Sequence, residues 1–315
     1  MESMNFKTRR VLRSKQRWSL LPLCSLLALL PLVFSYFHSG GESKPRVELF
    51  VSFWAPSNSG SPHRNEVLAA ILMNMRHPYI SSVHIALEAR PDFGCKEFSR
   101  SLEEPLAQMK KQQSTAKLVC VPYEAQPTYL QMFQFTQTAA RGNIAVLMNG
   151  DMVFDASLAQ LRRLRHGTAA VVATSGLAQA PKHVLQIFSE LHDIDSKNLS
   201  GIPNRCYDPQ VLERTSWDAF AWYAHEIVIE EKFFIDANTG LPFYMNQNGA
   251  ENAALHALQQ SNSGLNTLQS CDIIKMWHLH TEEKMHHNGS EEFVGAPRAA
   301  PHFGYKSRCR SIKEC

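Results

Sequence analysis

From residue 47 onward, short apolar runs alternate with helical segments, and no other feature narrows the fold so far. Val47–Phe53, Val83–Leu87, Lys117–Val121, Ile144–Met148 and Thr168–Ala173 read as strands. Asn65–Met75, Glu97–Lys111, Thr128–Thr138 and Ala156–Leu164 carry helical apolar spacing between them. Such alternation implies crossover connections, and so an α/β fold with a mainly parallel sheet flanked by helices. Beyond Pro181 the chain is less regular and richer in loops. Open sheets of this class bind ligands beyond the carboxyl ends of their strands, which directs attention to the residues just after Met148.

Ahead of this body stands Ser19–Phe37, 19 residues without a charge. As a helix rising ~1.5 Å per residue it spans roughly 28 Å, about the hydrocarbon thickness of a thin bilayer. Trp18 and Tyr36–Phe37 suit the two interfaces, and residues 1–18 carry six Lys/Arg against Glu2. Positive flanks stay cytosolic, which sets a type II single-pass orientation. The expected order is a cytosolic tail 1–18, an anchor 19–37, a short stem 38–46, and a body in the Golgi or ER lumen. A cleaved signal peptide is the rival reading; the long basic lead and the lack of a clear small-x-small cleavage site argue against it. Formal net charge is +3, of which the tail holds +5, so the rest of the chain sums to −2. That balance excludes a nucleic-acid-binding body.

A lumenal body agrees with the sequons Asn198-Leu199-Ser200 and Asn288-Gly289-Ser290. It also agrees with six cysteines outside the anchor, Cys95, Cys120, Cys206, Cys271, Cys309 and Cys315. None has C-x-x-C spacing, and spacing alone assigns no pair.

The segment after Met148 is Asn149-Gly150-Asp151-Met152-Val153-Phe154-Asp155. A carboxylate on a small polar turn at a strand end is placed to bind Mg²⁺ or Mn²⁺, ions that take oxygen ligands and often hold a substrate diphosphate. Asn149 adds an amide oxygen, and Gly150 lets the backbone approach closely. The same residues also read as an Asx turn leading into the next helix, with Asp155 as its N-cap. In Met276-Trp277-His278-Leu279-His280 the two imidazoles share a face if the segment is a strand. No H-E-x-x-H spacing accompanies them, and with His286 and His287 nearby they also read as surface histidines. Asp218 opens an aromatic run; at the rim of an apolar pocket its carboxylate is a candidate base, the alternative being a solvated loop acid. Glu251, ahead of helix Ala253–Gln260, is either a second such carboxylate or a first-turn acid complementing the helix dipole.

Taken in order, these segments resemble the GT-A-type nucleotide-diphospho-sugar transferases. The resemblance begins at Val47–Pro56 and continues through His63-Arg64-Asn65-Glu66, His77-Pro78-Tyr79-Ile80, Val121-Pro122 and Pro127-Thr128-Tyr129. The N-G-D-M-V-F-D segment stands where that family has N-x-D-I-x-F-D. Ser216-Trp217-Asp218-Ala219-Phe220, Gly249-Ala250-Glu251-Asn252 and Trp277-His278-Leu279-His280 follow. The resemblance implies a GT-A-like, Rossmann-related domain over 47–287, with a C-terminal tail 288–315. It implies transfer of a sugar from a nucleotide-sugar donor to a glycan or glycoprotein acceptor. It further implies donor binding at Arg64, Asn65, Thr128, Tyr129, Asn149 and Gly150. Mn²⁺ or Mg²⁺ would be held by Asp151, with His280, ahead of His278, as an added ligand. Asp218 would be the acceptor base, with Glu251 in reserve.

Three positions depart from that pattern: Gln126 where a basic residue is expected, Ala173-Thr174-Ser175-Gly176 without a basic–aromatic pair, and Ala253 where an arginine is common. Fewer cations beside a diphosphate weaken stabilisation of the leaving group. A glycosyltransferase-like binding protein without turnover therefore stays open and, further off, a metal-dependent hydrolase.

Overall fold

The computed structural model describes residues 45–54, 62–109, 116–172, 176–179, 201–203, 217–245, 247, 249–270 and 273–280. The basic tail, the apolar span 19–37, both sequons and Cys206, Cys271, Cys309 and Cys315 lie outside them. Among the described residues no helix is long and apolar enough to cross a membrane.

The central sheet has seven strands: β1 (Val47–Trp54), β2 (Ile80–Glu88), β3 (Lys117–Tyr123), β4 (Ile144–Met148), β6 (Thr168–Val172), β9 (Ala219–Tyr223) and β10 (Asn266–Gln269). Their order across the sheet is β10-β6-β9-β4-β1-β2-β3. Every pairing is parallel except those of β9, which runs antiparallel to both β4 and β6. The mainly parallel sheet read from the sequence is therefore observed. The reversal at β9 has a consequence for chemistry. Its first residue, Ala219, pairs with the last residues of β4 and β6, Met148 and Val172. Asp218 is thereby delivered to the carboxyl edge of the parallel strands.

Strand alternation sorts side chains onto two cores. Leu49, Val51, Val146 and Ala221 face one cluster, while Phe50, Leu147, Phe220 and Trp222 face the other. The first is covered by helices α1 (Pro62–Met75) and α2 (Cys95–Met109), which contribute Leu68, Leu72, Phe98 and Leu102. The second is covered by α3 (Tyr129–Ala139) and α4 (Ala250–Ser261), through Phe133, Leu255 and Leu258. Because both faces are covered, β4, β6 and β9 are buried along their whole length, which is why they read as continuous apolar runs. A disulfide joins Cys95, at the start of α2, to Cys120 in β3.

A second sheet of four short strands, ordered β5-β11-β7-β8, comprises β5 (Met152–Phe154), β7 (Gly176–Gln179), β8 (Gly201–Pro203) and β11 (Met276–His280). Helix α1 packs against β5 and β11 as well as β2. Its residues from Glu66 to Met75 are all buried, as an all-round apolar helix requires. Asn74 ties the layers: its Nδ2 donates to the Met152 carbonyl at 2.8 Å, and its Oδ1 accepts from Phe154 N–H at 3.3 Å.

Ala156–Arg163, within the helix expected over Ala156–Leu164, is a 3₁₀ helix. Leu158, Leu161 and Leu164 are all buried, and their spacing of three matches the three residues per turn of that helix. Asp155 is its N-cap, accepting from Ser157 N–H at 2.8 Å. The remaining expected elements lie within a few residues of those observed.

Candidate active site

β4 ends at Met148, and the next three residues turn across the carboxyl edge of the sheet. Gly150 is required there by packing. A Cβ on it would lie 2.9 Å from Val67 Cγ1 and 3.3 Å from the Ser52 carbonyl. The close approach is thus to α1 and β1, and it fixes where Asn149 and Asp151 stand. Asn149 is locked to the start of β9 twice: its N–H donates to the Asp218 carbonyl at 3.0 Å, and its Nδ2 to Asp218 Oδ1 at 3.2 Å.

Asp151 is only 9% exposed. Its carbonyl accepts from Leu279 N–H at 2.9 Å, which continues the antiparallel pairing of β5 with β11. That register brings His278 alongside, with Nε2 2.6 Å from Asp151 Oδ2. His63, near the start of α1, places Nδ1 4.0 Å from the same oxygen and 3.2 Å from Glu66 Oε2. The site is therefore assembled from α1, the β4 turn, the residue before β9, and β11.

Burial works against charge on these groups, and their mutual pairing overrides it. For Asp151, burial pushes the carboxyl up, but the hydrogen bond and charge of His278, with His63 behind it, hold it below the ordinary value. For His278, burial pulls the imidazole down, and Asp151, then Asp218 and Glu66, bring it above its usual value. His63 is raised chiefly by its hydrogen bond to Glu66, against burial and with help from Asp151. A carboxylate kept anionic while buried is a ready partner for a cation.

Asp218 is 6% exposed at the head of β9. Together with Glu251, in the first turn of α4, it acts on the buried Tyr129 hydroxyl, whose pKa burial and then these two carboxylates push well up. Thr128 and Tyr129 are built into the fold. Thr128 is the N-cap of α3 in a capping box with Gln131, and Tyr129 is 1% exposed against Phe220 and Phe243. Arg64 is half-buried with its guanidinium over the Phe93 ring, 5.2 Å from the centroid, and Asn65 beside it is half-buried. His280 closes β11 opposite Gln179 of β7. The sequence reading ranks His280 above His278, whereas it is His278 whose ring meets Asp151.

His63 and Glu66 are the functional candidates that sequence reasoning passed over. Both stand in the His63-Arg64-Asn65-Glu66 segment, and their i,i+3 spacing is the signal that puts them on one helix face.

Asp151 and His278 bring a carboxylate oxygen and an imidazole nitrogen within hydrogen-bond distance of each other, 2.6 Å apart. The carboxylate fits Mg²⁺ or Mn²⁺, which bind through one or two protein ligands and complete their shell with substrate phosphates and water, and the imidazole favours Mn²⁺ of the two.

No protein family model matches the chain, and no curated protein does. Solved structures are similar to it, three of them as follows. The mannosyltransferase PcManGT from Pyrobaculum calidifontis, in complex with GDP-Man and Mn²⁺, is 12% identical over 83% of this chain and 68% of that one, with a TM-score of 0.42. GalNAc-T7, with UDP, GalNAc and Mn²⁺, is 10% identical over 77% of this chain, which spans 45% of that one, with a TM-score of 0.43. HddC from Yersinia pseudotuberculosis is 10% identical over 56% of this chain and 76% of that one, with a TM-score of 0.32. The functional reading rests on the residues themselves.

Proposed function

We propose that the chain is a GT-A-like glycosyltransferase that moves a sugar from a nucleotide-sugar donor to a glycan or glycoprotein acceptor in the Golgi or ER lumen. The observation that carries this reading is the convergence of Asn149, Asp151, Asp218 and His278 at the carboxyl edge of a mainly parallel sheet, where such folds bind nucleotides. Asp151 and His278 would hold the Mn²⁺ or Mg²⁺. When bound, the ion supplies a positive charge for the donor diphosphate and the departing nucleotide. Asp218, oriented by Asn149, takes the proton of the acceptor hydroxyl, with Glu251 in reserve. Arg64 and Asn65, on the first turn of α1, would bind the donor. His63, bridging Glu66 and Asp151, keeps the Asp151 carboxylate in place. The Cys95–Cys120 disulfide supports an oxidising compartment.

The second reading, a donor-binding protein without turnover, is favoured by Ala253. It is 1% exposed inside the apolar cluster, so no cation occupies that place. Purified chain incubated with a panel of nucleotide sugars and Mn²⁺ separates the two readings. Release of nucleoside diphosphate supports transfer, and saturable donor binding without release supports the binding protein. Metal-dependent ester or phosphate cleavage without any donor marks a hydrolase and defeats both.

A further inference from the structure

At the amino-terminal edge of the parallel strands, away from Asp151, a second set of ligating side chains comes together. His166 lies in the turn before β6, and His225 and Glu226 lie just past β9. Because β9 runs antiparallel, the end of β9 and the start of β6 share that edge, whereas Asp218 and Asp151 share the other. Five-residue strands at about 3.3 Å per residue separate the two edges by roughly 16 Å.

We infer that His166, His225 and Glu226 form a separate binding site for a Zn²⁺-class divalent ion, with an open coordination position facing solvent. One nitrogen from each imidazole and a carboxylate oxygen all lie within 4.8 Å of one another. Among the described residues, this is the one group of three His, Cys, Asp or Glu side chains that meets that spacing. His166 Nδ1 is in hydrogen-bond contact with Glu226 Oε1, and His225 Nε2 stands 3.9 Å from the same oxygen.

The groups are held in place by their surroundings. Glu226 Oε2 accepts from Gly167 N–H at 2.8 Å, which leaves Oε1 turned toward both rings. The His166 ring stacks on Tyr223, 4.3 Å between centroids and 17° between planes. Tyr223 in turn donates its hydroxyl to the Leu164 carbonyl at 3.2 Å. Outer contacts of this kind orient ligands before the ion arrives. Two imidazoles and one carboxylate make a nitrogen-rich set that suits Zn²⁺ and disfavours Mg²⁺ or Ca²⁺, which take oxygen ligands. The imidazole side chains are 72% and 50% exposed, so the remaining position opens to water. Bound there, the ion clips the turn before β6 to the turn after β9.

Purified full-length chain, stripped of metal by chelator, tests this by titration with Zn²⁺ against a chromophoric competitor. An Asp151→Asn/His278→Ala background removes the other metal-binding pair. In that background one Zn²⁺ should bind and raise the melting temperature. Binding should weaken on the order of 100-fold with His225→Ala and further with His166→Ala/His225→Ala. Both histidines are solvent-facing, so these variants should fold, and unchanged melting of the metal-free forms checks it. Zn²⁺ retained at full affinity by the His166/His225 variant overturns the assignment and places the ion elsewhere, as in the stretch reaching His286 and His287. Equal affinity for Mg²⁺, or millimolar binding indifferent to Glu226→Gln, also overturns it.

Discussion

Asp151 meets two demands at once: it is nearly buried, and it is anionic because His278 and His63 stand beside it. Asp151→Asn keeps the shape and a hydrogen-bonding group facing His278 but removes the charge a cation needs. Turnover should fall on the order of 10²-fold or more, with weakened Mn²⁺ affinity, and the melting temperature should fall as well because the buried pair with His278 loses its charge. Asp218→Asn should instead spare Mn²⁺ affinity and donor binding and lower turnover by about 10²-fold or more, as expected for a lost proton acceptor. Calorimetric Mn²⁺ titration beside nucleotide-release rates distinguishes the two, and near-full metal-dependent turnover in Asp151→Asn would sink the metal assignment. Glu48 makes a different prediction, at the far end of β1. Its Oε2 lies 2.7 Å from His84 Nε2, and its Oε1 accepts from Asn143 Nδ2 at 2.6 Å. Burial raises its pKa, but His84, Ser82 and Asn143 together leave it below the ordinary 4.5. A lowered folded-state pKa means stability that is present above the unfolded value and is lost as pH falls through the folded one. Urea midpoints measured from about pH 7 down to 3 should therefore drop more steeply for the wild type than for Glu48→Gln. At neutral pH that variant should be weaker by about 1–3 kcal/mol; parallel acid limbs would show that the network contributes nothing.

The turn between β4 and β5 joins packing to chemistry at the scale of elements. Gly150→Ala drives a Cβ into Val67 Cγ1 at 2.9 Å and the Ser52 carbonyl at 3.3 Å. It should cost about 1–3 kcal/mol of stability and also lower Mn²⁺ affinity, because Asn149 and Asp151 must shift with it. Gly142→Ala is the control: its φ of +77° strains an alanine, but nothing lies within 4 Å of the added Cβ. A cost of about 1 kcal/mol with unaltered metal affinity is expected there. If both variants lose affinity alike, the turn does not position the site. The central strands were legible in the sequence because β4, β6 and β9 are covered on both faces and are apolar but for Thr168 at the start of β6. Asp155 was legible as a cap because an acid before a helical run has few other uses. The helix after Asp155 was legible, but not its 3₁₀ type, since leucines at 158, 161 and 164 fit one face of either helix over so short a span. β5 was invisible: three apolar residues become a strand only by pairing with β11, whose partner residues lie more than a hundred positions away. The same distance hid the contact between His278 and Asp151, which follows from that pairing register. His63 and Glu66 were quoted as sequence yet given no role, because only the fold carries the first turn of α1 over the β4 turn.

At the scale of the whole molecule, one sheet has been given two different edges. The parallel run β3-β2-β1-β4, with β6 and β10 beyond the reversed β9, gathers strand ends from both halves of the chain at the Asp151 side. The start of β9 completes that side from the opposite direction. A single reversed strand therefore contributes Asp218 to one edge and His225–Glu226 to the other. The catalytic reading needs its donors and acceptors in the same compartment as this edge, and the flanks of the body decide which compartment that is. Residues 1–18 carry +5 and the 19-residue stretch after them carries no charge. The proposed lumenal location rests on the cost of moving such a basic segment across a bilayer, which would keep it cytosolic and send the body to the other side. The Cys95–Cys120 bridge agrees, because glutathione-buffered cytosol keeps such thiols reduced. Protease added to sealed microsomes should then remove only the short tail and leave residues 38–315 protected until detergent is added. Glycosidase treatment should lower the apparent mass by the glycans carried on Asn198 and Asn288, and the double variant Asn198→Gln/Asn288→Gln should lack that shift. Digestion of the large domain in sealed vesicles would place the Asp151 edge in the cytosol and remove the lumenal part of the functional proposal, while leaving the geometry of the site to be tested on cytosolic nucleotide sugars.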